Sequence, residues 1–495
     1  MASANKDRAA EIANTFEWLI TAFILALFFR AFVMEAYRIP TGSMADTLKG
    51  EHFRMRCSQC GYRYDYGFGN YGLPPDTVIG GRIKTLPTRC PSCGCYQPVG
   101  GQMPVANGDR ILVLKCIYQF FEPLRWDVVV FKNPLDPPIN YIKRLVGCPG
   151  ETVEIIDGDI YINGQIARKP PKVQQELWMP VYDNDYQPVQ PRQPAFNGHS
   201  WQQPFKNLEG SDWKTDQDSP VVFRLECPDD QVNYLIYDTS IGNDFKASYA
   251  YDDVETYAYM PYCSDLKVRF YARMLDQPGS IGIELSKYQT RYKACVDSAG
   301  EMVISKLFEG QETILARRPA EQSAVGKPVL VQFINVDHQL IFQLGRDKLT
   351  FDLGSGPEDA GPRKTAVQPN VKIFGSGSLT ISHIAIFRDI HYTAKKFAGS
   401  SEQGRALEGS PFTLGKDEFF VLGDNSPNSE DARWWSQKGI ANNNRFYRPG
   451  IVPREYLVGK ALFVYWPSFF RPFGKSPIFV PNIGQMRFIY GGSGR

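Results

Sequence analysis

The chain has 495 residues, of which 43% are hydrophobic and 22% charged. This excludes global disorder and a polytopic membrane protein, and leaves room for about three domains. A formal net charge of +2 supplies no basic field to hold nucleic acid. The 43 Gly, 36 Pro, 26 Tyr and 32 Phe favour strands, turns and loops, so a mainly β fold is expected. His199, His338, His383 and His391 lie far in sequence from the motifs below, which makes histidine-based catalysis a poor starting assumption.

In chain order, a short tail (1–11) precedes one segment apolar enough to cross a bilayer. Residues 16–34 carry only Glu17 and Arg30 as charges, and about 20 helical residues span a hydrocarbon core. A secretory leader would end in a small-x-small cleavage site. Here the run passes directly into Glu35-Ala36-Tyr37-Arg38-Ile39-Pro40, so residues 12–35 read as an uncleaved transmembrane anchor. Lys6 and Arg8 are nearly balanced by Asp7 and Glu11. The default orientation is therefore taken: a short cytoplasmic tail, with the large carboxyl part outside.

Six stretches follow. Residues 36–56 hold a Pro-Thr-Gly-Ser-Met turn around Ser43. Residues 57–95 contain five cysteines among glycines and aromatics. Residues 96–170 are strand-like, with apolar runs at Arg110–Lys115, Asp127–Phe131 and Tyr141–Gly147 and a hairpin near Asp157-Gly158 and Asn163-Gly164. Residues 171–408 form a long interruption, mostly loop to about 215 and then period-2 strands such as VVFRLEC, LKVRFYARML and LTISHIAIF. That alternation fits two sheets packed face to face. Residues 409–475 return to the earlier style and 476–495 read as a C-terminal tail; the aromatics after residue 466 would rest at lipid headgroups or cover the core. This is the pattern of a domain inserted into a loop of another.

Ser43 needs a base to act as a nucleophile, and His52 is its only histidine neighbour in sequence. Lys143 offers another route. Alternation in Tyr141–Gly147 aims Lys143 and Arg144 to opposite faces, so one basic side chain can point inward. A lysine in apolar surroundings loses its charge more easily and can serve as general base near neutral pH.

Ile39-Pro40-Thr41-Gly42-Ser43-Met44 with Thr47-Leu48, Gly108-Asp109-Arg110, Asp127–Phe131, Tyr141-Ile142-Lys143-Arg144 with Gly147-Cys148-Pro149-Gly150, and Gly423-Asp424-Asn425-Ser426 with Asn428–Arg433 resemble the ordered boxes of bacterial signal peptidase I. The resemblance implies a membrane-bound Ser-Lys endopeptidase of the cytoplasmic (inner) membrane, single-pass, with its catalytic part on the extracytoplasmic side. It would remove signal peptides from preproteins after small-x-small sites. By the same resemblance Ser43 is the nucleophile and Lys143 the base. Thr41 and the Ser43 N–H would hold the oxyanion, and Ser429 would orient the lysine. Asp431 and Arg433 would support the wall, with Asp424 and Asn425 as scaffold and turn. Met44, Tyr141 and Ile142 are candidate pocket walls, with the peptide lying beside residues 136–142. Three positions depart from the family pattern: Asp46 for proline, Trp126 for glycine, and Cys148 for an apolar residue. Catalysis would need no cofactor.

Cys57-x-x-Cys60-Gly61 and Cys90-x-x-Cys93-Gly94 have the spacing of a four-cysteine, zinc-ribbon-like module, expected to hold structural zinc; disulfides are the competing reading in an exported domain. The insertion weakly resembles a concanavalin A-like or laminin-G jelly roll, with a protein or glycan as its possible ligand. Together the two inserts look like the enlarged signal peptidases of planctomycete-type bacteria. The competing functions are an anchored cell-envelope binding protein that uses the β-sandwich, and a Ser-Lys protease of narrow range.

Overall fold

The computed structural model describes residues 2–67, 88–97, 105–191, 196, 198–215, 221–252, 260–275, 279–362, 367–393, 404–440, 446–467, 469–470 and 480–492. A helix over Ala2–Phe28 continues as one wide turn, Phe29–Val33. Within it Ala13–Val33 has a mean hydropathy of 1.9 and no buried residue. Twenty-one residues are long enough to cross a bilayer. The backbone N–H of Lys115 caps the Val33 carbonyl at 2.9 Å, and Met34–Arg38 then pairs with Arg110–Leu114. The helix therefore ends directly in the core sheet.

That sheet is antiparallel, in the order Met34–Arg38, Arg110–Leu114, Leu457–Trp466, Val128–Lys132, Asn140–Gly147, Glu418–Leu422, Val452–Pro453. Its strands come from three separated stretches of chain. The Val128–Phe131 run is apolar throughout because the sheet is covered on both faces. Val128 and Val130 join Ile39, Met44 and Leu48 on one face, while Val129 and Phe131 join Leu145, Phe420 and Trp435 on the other. A truncation such as Phe131→Ala would leave a cavity worth about 3–5 kcal/mol.

The insertion forms two large sheets around one core. Leu266–Met274 alternates strictly, with Val268, Phe270 and Ala272 inward and Arg269, Tyr271 and Arg273 outward. Four strands between Ile281 and Pro319 add to those read from sequence.

Three boundaries differ from the sequence reading. Residues 171–215 are not all loop: Met179–Asp183 pairs with Ser378–Arg388, and Phe205–Asn207 with Asn233–Tyr237. Pro180 and a register shift beside it break the alternation of the first, and the second is only three residues long. His52–Arg56, assigned to the core, pairs with Arg63–Gly67 and Val105–Ala106 in a separate sheet that carries the cysteines. The core extends past residue 475, and the C-terminal residues cover it, as one of the two readings from sequence had it. Arg487–Phe488 pairs with the core strand Leu457–Trp466, and the Tyr490 carbonyl accepts from Arg144 at 3.3 Å.

The insertion is joined to the core hairpin Thr152–Ile162 by a buried cluster. Lys287 pairs with Asp265 and lies 3.7 Å from Asp159, while Lys169 pairs with Asp337 and lies 2.9 Å from Asp389.

Candidate active site

The turn bearing Ser43 is held at both ends by the Gly108-Asp109 box. The Ile39 N–H donates to the Asp109 carbonyl (2.8 Å), the Asp109 N–H to the Lys49 carbonyl (2.8 Å), and the Lys49 N–H to the Asp109 carboxylate (3.1 Å). Position 108 must be glycine, since a Cβ there would lie 1.9 Å from the Ile39 carbonyl oxygen. Within the turn the Ala45 N–H donates to the Gly42 carbonyl at 3.0 Å.

Lys143 lies opposite Val129 in the core sheet, and its amine reaches the Ser43 Oγ at 2.8 Å. Its second hydrogen bond is to the Ile142 carbonyl at 3.1 Å. Ser43 is 8% and Lys143 5% exposed. Burial pushes the Lys143 amine down to about 8, against the more distant Asp431, Asp424 and Glu430, which act to raise it. A serine hydroxyl beside an amine whose charge burial disfavours is the arrangement that a nucleophile and its general base require.

His52 is no part of this pair. It is buried, with Nδ1 2.7 Å from the Gly50 carbonyl and Nε2 3.6 Å from Asp65. Thr41 is half-buried, and its backbone lies so close to Gly50 that a Cβ there would sit 2.4 Å from the Thr41 carbonyl carbon.

The far wall is the 423–433 loop. Asp431 and Arg433 form a fully buried pair at 2.7 Å. Asp431 also accepts the Gly423 N–H at 3.0 Å, and Arg433 donates to the Thr393 carbonyl and the Ser426 hydroxyl, both at 2.8 Å. The Asn425 N–H donates to the Ser43 carbonyl at 3.1 Å. Gly423 is required by space, because a Cβ would lie 2.5 Å from the Ser43 carbonyl oxygen.

Ser429 departs from its expected role. It is buried in this wall, but its Oγ has no hydrogen-bond partner among the described residues and lies against Gly423 rather than on the Lys143 amine. Met44 departs too: it is 0% exposed and packs with Ile39, Leu48 and Ile111, so it is core and not pocket surface. Tyr141 and Ile142 are half-buried and retain surface. Sheet pairing with Glu418–Leu422 ends at Arg144, so among the described residues 140–143 have a strand partner on one side only.

Arg144 makes a contact beside the site that sequence reading missed. It does alternate away from Lys143, but into the interior: it is fully buried and grips Asp424 through two bonds of 2.7 and 2.8 Å. The signal was an arginine in a two-sided apolar strand with an aspartate in a distant box. Trp126, which stands in place of glycine, has φ 75°, a region that favours glycine. It is retained by burial and by an indole N–H donating to the Arg168 carbonyl at 3.1 Å.

The four thiols of Cys57, Cys60, Cys90 and Cys93 lie within 4.8 Å of one another, with 3.6 Å between Cys57 and Cys93 and between Cys60 and Cys90. Four sulfurs about 2.3 Å from one central ion are separated by this much, whereas a disulfide needs about 2 Å. The glycines close both knuckles, with Gly61 and Gly94 N–H groups on the Cys57 and Cys90 carbonyls at 2.9 and 3.0 Å. Cys95 stands aside, accepting from Gln97 at 3.1 Å.

The family model "Signal peptidase, peptidase S26" matches residues 95–202 and 382–466. The match falls in two separate segments. The residues between the two segments, 203–381, all belong to the insertion, and the Ser43 turn lies before the first matched segment. Signal peptidase I of Rickettsia canadensis (strain McKiel) is 32% identical over 149 residues, 30% of this chain and 42% of that protein. Signal peptidase I of Rickettsia akari (strain Hartford) is 33% identical over the same extent. The chain thus spans less than half the length of these relatives. Among solved structures, the carbohydrate binding module CBM66 from Bacillus subtilis covers 37% of this chain and 94% of its own, at 8% identity and a TM-score of 0.24. The Emp46p carbohydrate recognition domain covers 37% and 88%, at 7% identity and a TM-score of 0.25.

Proposed function

We propose that this protein is a single-pass membrane serine endopeptidase that removes signal peptides from exported preproteins after small-x-small sites. The observation that carries the reading is the 2.8 Å contact between the Ser43 hydroxyl and the buried Lys143 amine.

In this reading the uncharged amine takes the Ser43 proton as Oγ attacks the scissile carbonyl. The resulting oxyanion is met by the Ser43 N–H and the Thr41 hydroxyl. As the C–N bond breaks, Lys143 returns the proton to the leaving amine, and water activated by the same lysine then hydrolyses the acyl ester. No cofactor enters these steps. The substrate lies extended along the open edge of residues 140–143, adding a strand to the sheet, with Tyr141 and Ile142 as pocket surface. Arg144–Asp424 and Asp431–Arg433 fix the two walls. In this reading the site lies at the lipid boundary on the extracytoplasmic face of the inner membrane, where a signal's cleavage site emerges, and the apolar helix just before Ser43 supports it. The four thiolates of Cys57, Cys60, Cys90 and Cys93 hold zinc, which would supply a structural crosslink.

The test is cleavage of a preprotein by purified full-length protein beside Ser43→Ala and Lys143→Ala. Both variants are expected to be inert, and retained cleavage in either would overturn the assignment.

A further inference from the structure

Residues 249–252 belong to the insertion, between its strands Asn233–Tyr237 and Leu266–Met274, yet they reach the loops that build the serine site. The Tyr251 ring is wedged between two glycines. A Cβ on Gly42, the neighbour of Ser43, would lie 2.2 Å from it, and a Cβ on Gly67 of the cysteine module 2.0 Å. The Tyr251 hydroxyl donates to the Glu51 carbonyl at 3.1 Å, and its own carbonyl accepts the Gly67 N–H at 2.8 Å. Ala45, two residues beyond Ser43, packs with both Tyr249 and Tyr251.

The opposite wall is gripped as well. The Tyr249 hydroxyl donates to the Asp424 carbonyl at 2.8 Å. Asp252 Oδ1 accepts from the side-chain amides of Asn425 (2.7 Å) and Asn428 (2.9 Å), and Asn425 is the residue whose N–H holds the Ser43 carbonyl at 3.1 Å. One short segment of the insertion therefore touches the backbone on both sides of the nucleophile.

We infer that Tyr249–Asp252 is a positioning element of the Ser43 nucleophile, which makes the insertion a working part of the catalytic apparatus as well as an appended module. The inference rests on the reading of Ser43 given above. It follows from the sensitivity of reactions to placement: a displacement of about 1 Å in a reacting group costs about 10²-fold. The Ser43 turn is a loop whose Gly42 has no side chain of its own to pack, and the Tyr251 ring fills that space.

The experiment uses full-length protein in detergent: wild type, Tyr251→Phe, Tyr251→Ala, Asp252→Ala, and Asp185→Ala as a control on the insertion surface. Two readouts are taken, steady-state preprotein cleavage and hydrogen exchange of the backbone over residues 39–50. Tyr251→Ala and Asp252→Ala should lower kcat about 10²-fold with KM nearly unchanged, and should speed exchange in the Ser43 turn. Tyr251→Phe keeps the ring and should restore kcat to within about 5-fold, the weight of one hydrogen bond. Asp185→Ala should match wild type in both.

Wild-type kcat and wild-type exchange in folded Tyr251→Ala and Asp252→Ala would overturn the inference. If Tyr251→Ala does not fold, Asp252→Ala decides by the same two readouts. A wild type that cleaves no preprotein would sink the peptidase reading instead. Exchange in the turn would still judge the clamp: faster exchange in the variants upholds it, and unchanged exchange refutes it.

Discussion

Lys143, Lys169 and Lys287 all have buried amines, and they behave in opposite ways. Lys143 meets a serine hydroxyl and a backbone carbonyl, and burial pushes its amine down to about 8. Lys169 and Lys287 feel the same burial, but carboxylates touch them. Asp337 and Asp389 hold the first, Asp265 and Asp159 the second, and both amines are raised well above their ordinary value. Burial alone therefore does not activate a lysine. Activation requires that its hydrogen-bond partners be neutral and that the nearest acids be engaged elsewhere. Asp424 and Asp431 meet that requirement because Arg144 and Arg433 occupy them.

The comparison is broken most severely by exchanging the roles. Lys143→Met should abolish cleavage while leaving stability unchanged or slightly improved, since it removes a desolvated amine with only neutral partners. Lys287→Met should do the reverse. It strands buried carboxylates and should cost about 3–5 kcal/mol in chemical denaturation, while the folded fraction keeps its kcat. The opposite outcome for either would mean that the two environments do not differ as described.

A smaller effect is expected at Gly423. Its Cβ in Gly423→Ala would approach the Ser43 carbonyl oxygen to 2.5 Å, so kcat should fall by about 10²-fold with KM little changed in steady-state assays. Smaller still is Ser429→Ala. The hydroxyl has no partner among the described residues, so denaturation should register no loss of stability, and kcat should drop by less than about 10-fold. A much larger drop would show that Ser429 joins the lysine during the reaction.

Much of this was legible in the sequence. The anchor, the period-2 strands of the insertion and the paired Cys-x-x-Cys-Gly knuckles follow from residue type and order, whereas the meeting of Ser43 with Lys143 was expected only from the resemblance to signal peptidase I. The illegible parts share a cause: they depend on partners distant in sequence. Arg144 could be placed on a face but not paired, because Asp424 lies 280 positions away. Met44 sits in a motif yet packs as core, and only the fold shows which side of its turn faces Ile111. Tyr251 and Asp252 carry no motif. Their importance arises from Gly42 and Asn425, whose own sequence signals read as ordinary turns.

The proton on Lys143 is the most direct test. Titration of its side chain by NMR in the full-length protein should give a midpoint near 8, against an ordinary value of 10.5, with kcat/KM rising through the same midpoint as the base loses its proton. Because the native state releases this proton earlier than the unfolded chain, stability should also rise from about pH 8 to 10.5 and lose that rise in Lys143→Met. A midpoint at the ordinary lysine value, with cleavage already at full rate below pH 7, would contradict the account.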